Sequence, residues 1–318
     1  MRGRVSIAHR RGMVGLVAGA CACLLGAGLA GCSLTTPTRA EVEPEPIQST
    51  LGADDLVEDG VLTVAMDMTD APQAMTGLEG EPSGYYADVA RLLAERMGLD
   101  LKVVSSADAT GSLSKRKADL YIGVRSSEED EGVAQSDGLV QNASSIFAKT
   151  ADGSREVPTV SATSLQGAVI AVQGESAAQD ALASAGIEAN LETHQNVNEC
   201  FEALSAGEVD YVACDATAGA YLARAYPGAV FVGTIAPTTS YGAIATAGTE
   251  LGTQAMDILA DALSDGTLSA LFHMWYGYLP FDLEDCMLEG VTVEDEAIDA
   301  DSPADAAADG SDGLNSLG

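Results

Sequence analysis

The chain has 318 residues, with 48 acidic against 15 basic side chains and a formal net charge of −33. It cannot offer the basic face that phosphate binding needs, so nucleic acid is excluded as a partner. Its six cysteines and three histidines show no C-x-x-C or H-x-x-x-H spacing, which removes the common zinc arrangements, and no cofactor is implied.

In chain order, Arg2, Arg4, Arg10 and Arg11 form a positive start, and a largely apolar run from Met13 to Ala30 follows without an acid. This is the layout of a secretory signal over residues 1–31. The run is also long enough for a membrane span, and Arg10-Arg11 admits a twin-arginine export route beside general secretion. It ends in Leu29-Ala30-Gly31-Cys32, which resembles the lipobox of bacterial lipoproteins. The resemblance implies that Cys32 is lipidated and becomes the new N-terminus, at the outer face of the bacterial cytoplasmic membrane or in the periplasm. The alternative is an ordinary thiol beside an uncleaved anchor. Removing the leader takes four arginines and no acids, which carries the net charge from −33 to −37. Self-repulsion of that size favours a monomer.

Residues 32–55 are polar and rich in proline, as in Glu43-Pro44-Glu45-Pro46, and suit a flexible tether. Beyond them, Val61 to Met66 reads as a buried strand, and Val89, Leu92, Leu93 and Met97 share one helical face. Leu101–Val104, Asp119–Ile122 and Ala168–Val172 read as further strands. Val197, Cys200, Phe201 and Leu204 form a second helical face that Gly207 closes, and strand Val209–Cys214 follows. This alternation predicts parallel α/β sheets, in which ligands sit beyond the carboxyl ends of the strands. With Cys21 and Cys23 in the leader and Cys32 lipidated, three thiols remain; the extracellular setting permits one bridge, Cys200 to Cys286. From Asp282 the apolar periodicity fails, so 282–318 is expected to be an acidic, disordered tail.

The order of landmarks resembles a known family. Gly60-Val61-Leu62-Thr63-Val64 precedes Asp67 and Pro72, and Gly84-Tyr85-Tyr86-Ala87-Asp88 opens a helix. Leu165-Gln166-Gly167 precedes Val169–Gln173 and Ser176; Gly207-Glu208-Val209-Asp210 precedes Asp215; Tyr241-Gly242, Asp265-Gly266-Thr267 and Trp275-Tyr276-Gly277 complete the series. Together they resemble the bacterial extracellular solute-binding proteins of family 3, which capture polar amino acids for ABC transporters. The resemblance implies an α/β, two-lobed Venus-flytrap of the type II periplasmic-binding-protein kind, with two hinge crossings. Lobe 1 would comprise 56–150 and 240–281, and lobe 2 would comprise 151–239. The partners implied are a small polar solute and an ABC transporter permease.

A zwitterionic amino acid in such a cleft needs a carboxylate for its ammonium and an arginine for its carboxylate. Asp215, at the end of a strand, stands where the family holds the ammonium, although the same residue suits the N-cap of a helix over 217–225. Where the family has its arginine, this chain has Glu131, or Asp130 with a one-residue deletion. An unpaired buried carboxylate costs roughly 3–5 kcal/mol, so binding through the usual fork is disfavoured. Arg125, in the same loop as Ser126, either supplies the missing charge or pairs with Glu128 or Glu129 in solvent. Gln73 follows Pro72 where an aromatic is usual, Glu175 takes a glycine position before Ser176, and Tyr85 and Tyr86 either restore stacking or, as residues opening a helix, pack in the core. With Asp67, these acids tip the cleft toward a cationic or polyamine-like solute, or a cationic peptide.

Three readings follow. The first is a membrane-anchored binding protein for a small polar solute, cationic or amino-acid-like. The second is a signalling or scaffold protein with a degenerate flytrap pocket that contacts another membrane protein. The third, an enzyme, is disfavoured because no nucleophile and base pair and no phosphate loop are readable.

Overall fold

The computed structural model describes residues 47–126, 132–150 and 156–292. The leader, Cys32, nearly all of the tether, the acids at 128–131 and the chain beyond 292 lie outside the described residues.

The first sheet forms around β1 (Val61–Met66), whose side chains from Leu62 to Met66 are all buried. A strand covered on both faces reads as a continuous apolar run. It pairs in parallel with β4 (Asp100–Ser105) and β5 (Leu120–Arg125). Between β1 and β4 lie a short hairpin, β2 (Met75–Thr76) and β3 (Pro82–Ser83), and helix α1 (Tyr85–Met97). Val89, Leu93 and Met97 of α1 are buried as their spacing predicts, and Gly98 ends the helix at a left-handed φ of 67°. Helix α2 (Ala109–Ser114) leads into β5.

The second sheet repeats this plan. β9 (Val169–Gln173) pairs in parallel with β10 (Asn190–His194) and β11 (Tyr211–Asp215). Helix α3 (Ala162–Leu165) precedes β9, and α4 (Ala177–Ser184) and α5 (Val197–Ala206) lie between its strands. The Asn196 side chain accepts from the Glu199 N–H at the start of α5, and Gly207 closes it at φ 77°.

Neither sheet is wholly parallel. β6 (Val133–Gln135) and β7 (Val140–Asn142) pair with β13 (Thr239–Thr246) in the first sheet, while β8 (Ser144–Lys149) lies antiparallel between β11 and β12 (Ala229–Thr234) in the second. The chain therefore passes between sheets at the single residue Ala143 and returns over 235–238. The passage places 144–149 in the second sheet, earlier than the boundary at 150 expected from the sequence. Asn142 pairs with Thr239, and the Ile235 N–H donates to the Ser144 carbonyl at 2.8 Å, so the two crossings run side by side.

Helices α6 (Ala216–Ala223), α7 (Glu250–Ser264) and α8 (Thr267–Tyr276) complete the set. Tyr221 of α6 stacks on Trp275 of α8 with ring centroids 6.1 Å apart, and Arg224 donates to the carbonyls of Met274 and Trp275. The first part of the segment expected to be a disordered tail is packed. Leu283 and Leu288 are buried, the Leu283 N–H donates to the Gln141 side chain, and the Leu288 N–H donates to the Thr234 carbonyl. Their apolar side chains are reason enough for this segment to pack, despite its acids. Cys200, Cys214 and Cys286 are all free thiols, so the expected Cys200–Cys286 bridge is absent. Burial pushes the Cys200 thiol up to about 11.

One buried carboxylate holds the base of the first sheet. Asp119 accepts from the Val57 N–H and the Thr63 N–H, each at 2.7 Å. Burial raises its carboxyl, opposed by those two bonds. Asp119→Ala leaves both donors without their acceptor and should lower unfolding free energy by ~3 kcal/mol, read as a shift of the urea midpoint.

Candidate functional site

The carboxyl ends of β1 and β11 deliver the first two acids. Directly after β1, Asp67 accepts from the Thr69 N–H at 2.9 Å and the Thr69 hydroxyl at 2.7 Å, which hold its carboxyl below the ordinary value. The turn continues with the Asp70 N–H donating to the Asp67 carbonyl and the Ala74 N–H to the Asp70 carbonyl. Asp70 keeps solvent contact. The protein packed around it nevertheless raises its carboxyl, with further contributions from the charges of Asp67 and Asp215. Asp70 and Asp215 therefore feel one another although they belong to loops of different sheets.

A side-chain bridge spans the same gap. Gln73 Nε2 donates to the Thr217 hydroxyl at 3.2 Å, in buried surroundings, while Gln73 Oε1 meets no donor. Gly84 allows the approach behind it: at φ 117° its missing Cβ would stand 2.3 Å from the Gln73 carbonyl oxygen, which instead accepts from the Tyr86 N–H at 2.8 Å.

Asp215 is where two readings of the sequence competed. It is the N-cap residue of α6 by position, yet its side chain makes no capping hydrogen bond. The first N–H groups of α6 are satisfied from the crossing strand instead. The Ala216 N–H donates to the Ala143 carbonyl at 2.9 Å, and the Thr217 N–H donates to Asn142 Oδ1 at 3.2 Å. The Asp215 carboxylate is thus left for other work, solvent-accessible but with its carboxyl raised by the protein around it.

The remaining candidates separate. Tyr85 is a core residue, fully buried against Phe272 and Tyr276, with its hydroxyl donating to the Leu139 carbonyl at 2.9 Å; it cannot stack on a solute. Ser176 caps α4, its hydroxyl accepting from the Gln179 N–H. Glu175 is exposed and takes φ 56°, the left-handed conformation of a glycine position, which strains a residue with a side chain by ~1 kcal/mol. Arg125 ends β5 opposite Tyr241 and is exposed. Its side chain makes no hydrogen bond or ion pair among the described residues. The Ser126 N–H donates to the Ser240 carbonyl. Asp67 and Asp215, with Gln73 from the sequence candidates, are brought to one gap; Asp70, Thr217 and Asn142 join them. Asp70 carried a readable signal, as an acid in the loop after a strand. Asn142 carried none, because nothing local marks a crossing. No group of three metal-ligating side chains occurs among the described residues.

A family model of the bacterial extracellular solute-binding proteins, family 3, matches residues 62–278. An ancestral cationic amino acid solute-binding protein is 24% identical, with a TM-score of 0.56 over 68% of this chain and 96% of that one. The L-cystine solute receptor of Neisseria gonorrhoeae, in an unliganded open conformation, is 20% identical, with a TM-score of 0.55 over 70% and 94%. A polar amino acid ABC uptake transporter substrate-binding protein from Streptococcus thermophilus is 16% identical, with a TM-score of 0.58 over 73% and 89%. These likenesses carry the fold, a two-lobed periplasmic-binding-protein architecture of type II. No curated protein matches the sequence significantly.

The raised carboxyls of Asp70 and Asp215 set a pH dependence. Between the ordinary carboxylate value and the raised one, the unfolded chain has lost a proton that the folded chain keeps. Stability therefore falls as pH rises through that window and stays lower above it. Asp70→Asn and Asp215→Asn should each stabilise the ligand-free protein at pH 7, by at most ~1 kcal/mol given their solvent contact. The gain should vanish below about pH 4, as measured by denaturation at the two pH values.

Proposed function

The chain belongs to the bacterial extracellular solute-binding proteins, family 3, and from that premise we propose that it captures a small polar solute between its two lobes and presents it to an ABC transporter. The observation that carries this reading is the convergence of Asp67, Asp70 and Gln73 from one sheet's loops with Asp215 and Thr217 from the other's. A solute held by both sets favours the closed arrangement, because contacts made only on closure shift the population toward it. A membrane component can then read closure as occupancy.

Cys32 is the proposed tether. Lipidated there, the mature chain would sit on the outer face of the membrane, with 33–55 as the length of chain between anchor and lobes. The role is binding rather than catalysis, in keeping with the solute-binding family to which the chain belongs. No helix among the described residues is long and apolar enough to cross a membrane.

Two measurements check this. In a thermal-shift screen of amino acids, amines and short peptides, a true ligand at 100 times its Kd should stabilise by ~2.7 kcal/mol, a rise of several degrees that Asp215→Ala removes. A folded protein that no solute shifts would point to the scaffold reading. Cys32→Ser should abolish lipid labelling and release the chain from the membrane fraction; continued membrane retention would instead indicate an uncleaved anchor.

A further inference from the structure

Resting on the solute-capture reading, the donor and acceptor chemistry of the gap narrows the solute. An ionised carboxylate only accepts, so Asp70 and Asp215 both require donors from whatever lies between them. Among the described residues no lysine or arginine pairs with Asp67, Asp70 or Asp215. Gln73 adds an independent demand. It is 7% exposed, its Nε2 is committed to Thr217, and its Oε1 is a buried acceptor with no donor. Gln73 lies three residues beyond Asp70, and Thr217 two residues beyond Asp215, so the orphaned acceptor sits on the bridge joining the two acidic loops.

We propose that Asp70 is a ligand-binding residue, and that the cleft takes a small aliphatic amine whose ammonium lies between Asp70 and Asp215, with no carboxylate required on the solute. A primary ammonium presents three N–H donors, and the gap presents two carboxylates, with the unpartnered Gln73 amide oxygen buried on the bridge that joins their loops. A cation there also relieves the repulsion between two acids carried by different lobes, which ties occupancy to closure. A solute carboxylate would find the opposite conditions. It would approach Asp67, Asp70 and Asp215 as a like charge.

Matched pairs that differ only by a carboxylate test this. Titration calorimetry on the full chain would compare cadaverine with lysine and agmatine with arginine, with glutamine as the neutral control. The expected result is that the amine of at least one pair binds at least tenfold more tightly than its amino acid. Asp70→Asn should weaken that amine at least tenfold, while Asp59→Asn, an exposed acid in the segment before β1, should leave it unchanged. Lysine or arginine binding as tightly as its amine, glutamine binding best, or an Asp70→Asn variant that binds the amine as wild type does, would each overturn the inference and leave solute capture standing. A folded protein that binds none of the five, and no member of the wider screen, would remove the capture reading and the amine with it.

Discussion

The arrangement depends on how the start of α6 is satisfied. A helix begins with N–H groups that have no partner within it, and buried donors without acceptors are costly. Here the acceptors come from the crossing strand, as the Ala143 carbonyl and the Asn142 side chain. Because the hinge does the capping, Asp215 does not have to. The same two bonds fix the acid loop of the second sheet to the point at which the chain changes sheets. A rotation there therefore moves Asp215 with it.

A second consequence concerns charge. Burial raises the carboxyls of both Asp70 and Asp215, and at Asp70 the charges of Asp67 and Asp215 add repulsion between acids carried by the two sheets. Opposing it are contacts that join elements of the two sheets: the Gln73–Thr217 bridge across the gap and, away from it, the Tyr221–Trp275 stack and the Arg224 bonds to the end of α8. A modest difference between these terms is enough to set the population of open and closed forms, since 1.4 kcal/mol is tenfold.

Much of this was legible in the sequence, for identifiable reasons. β1 lies in the interior and so reads as an apolar run broken only by Thr63; α1 and α5 each pack one face and end on glycine, so period and cap agree. The crossing strands were not legible, because Ala143 alone separates β7 from β8, and the flanking Asn142 and Ser144 lie within those strands, where their turn chemistry does not distinguish a change of sheet from an ordinary turn. Tyr85 misled for a related reason: an aromatic that opens a helix serves core or cleft equally well until the partner helix α8 is placed. Asp215 was singled out by its place after a strand and by the family resemblance, but its freedom from capping required the tertiary fold.

The segment after α8 adds a mechanical limit. Leu279 and Leu283 pack on the cluster that includes Phe272 and Tyr276, while Leu288 packs with Ile170 and Val172 of the second sheet. A clamshell fitted with such a strap swings only as far as its slack permits. Wider travel would peel Leu288 from its seat, at a cost of ~1.5–3 kcal/mol for one leucine. Because Met287 already bridges to Thr234 of β12, only 284–286 remains between the two seats, and so short a piece bounds how far the cleft can gape.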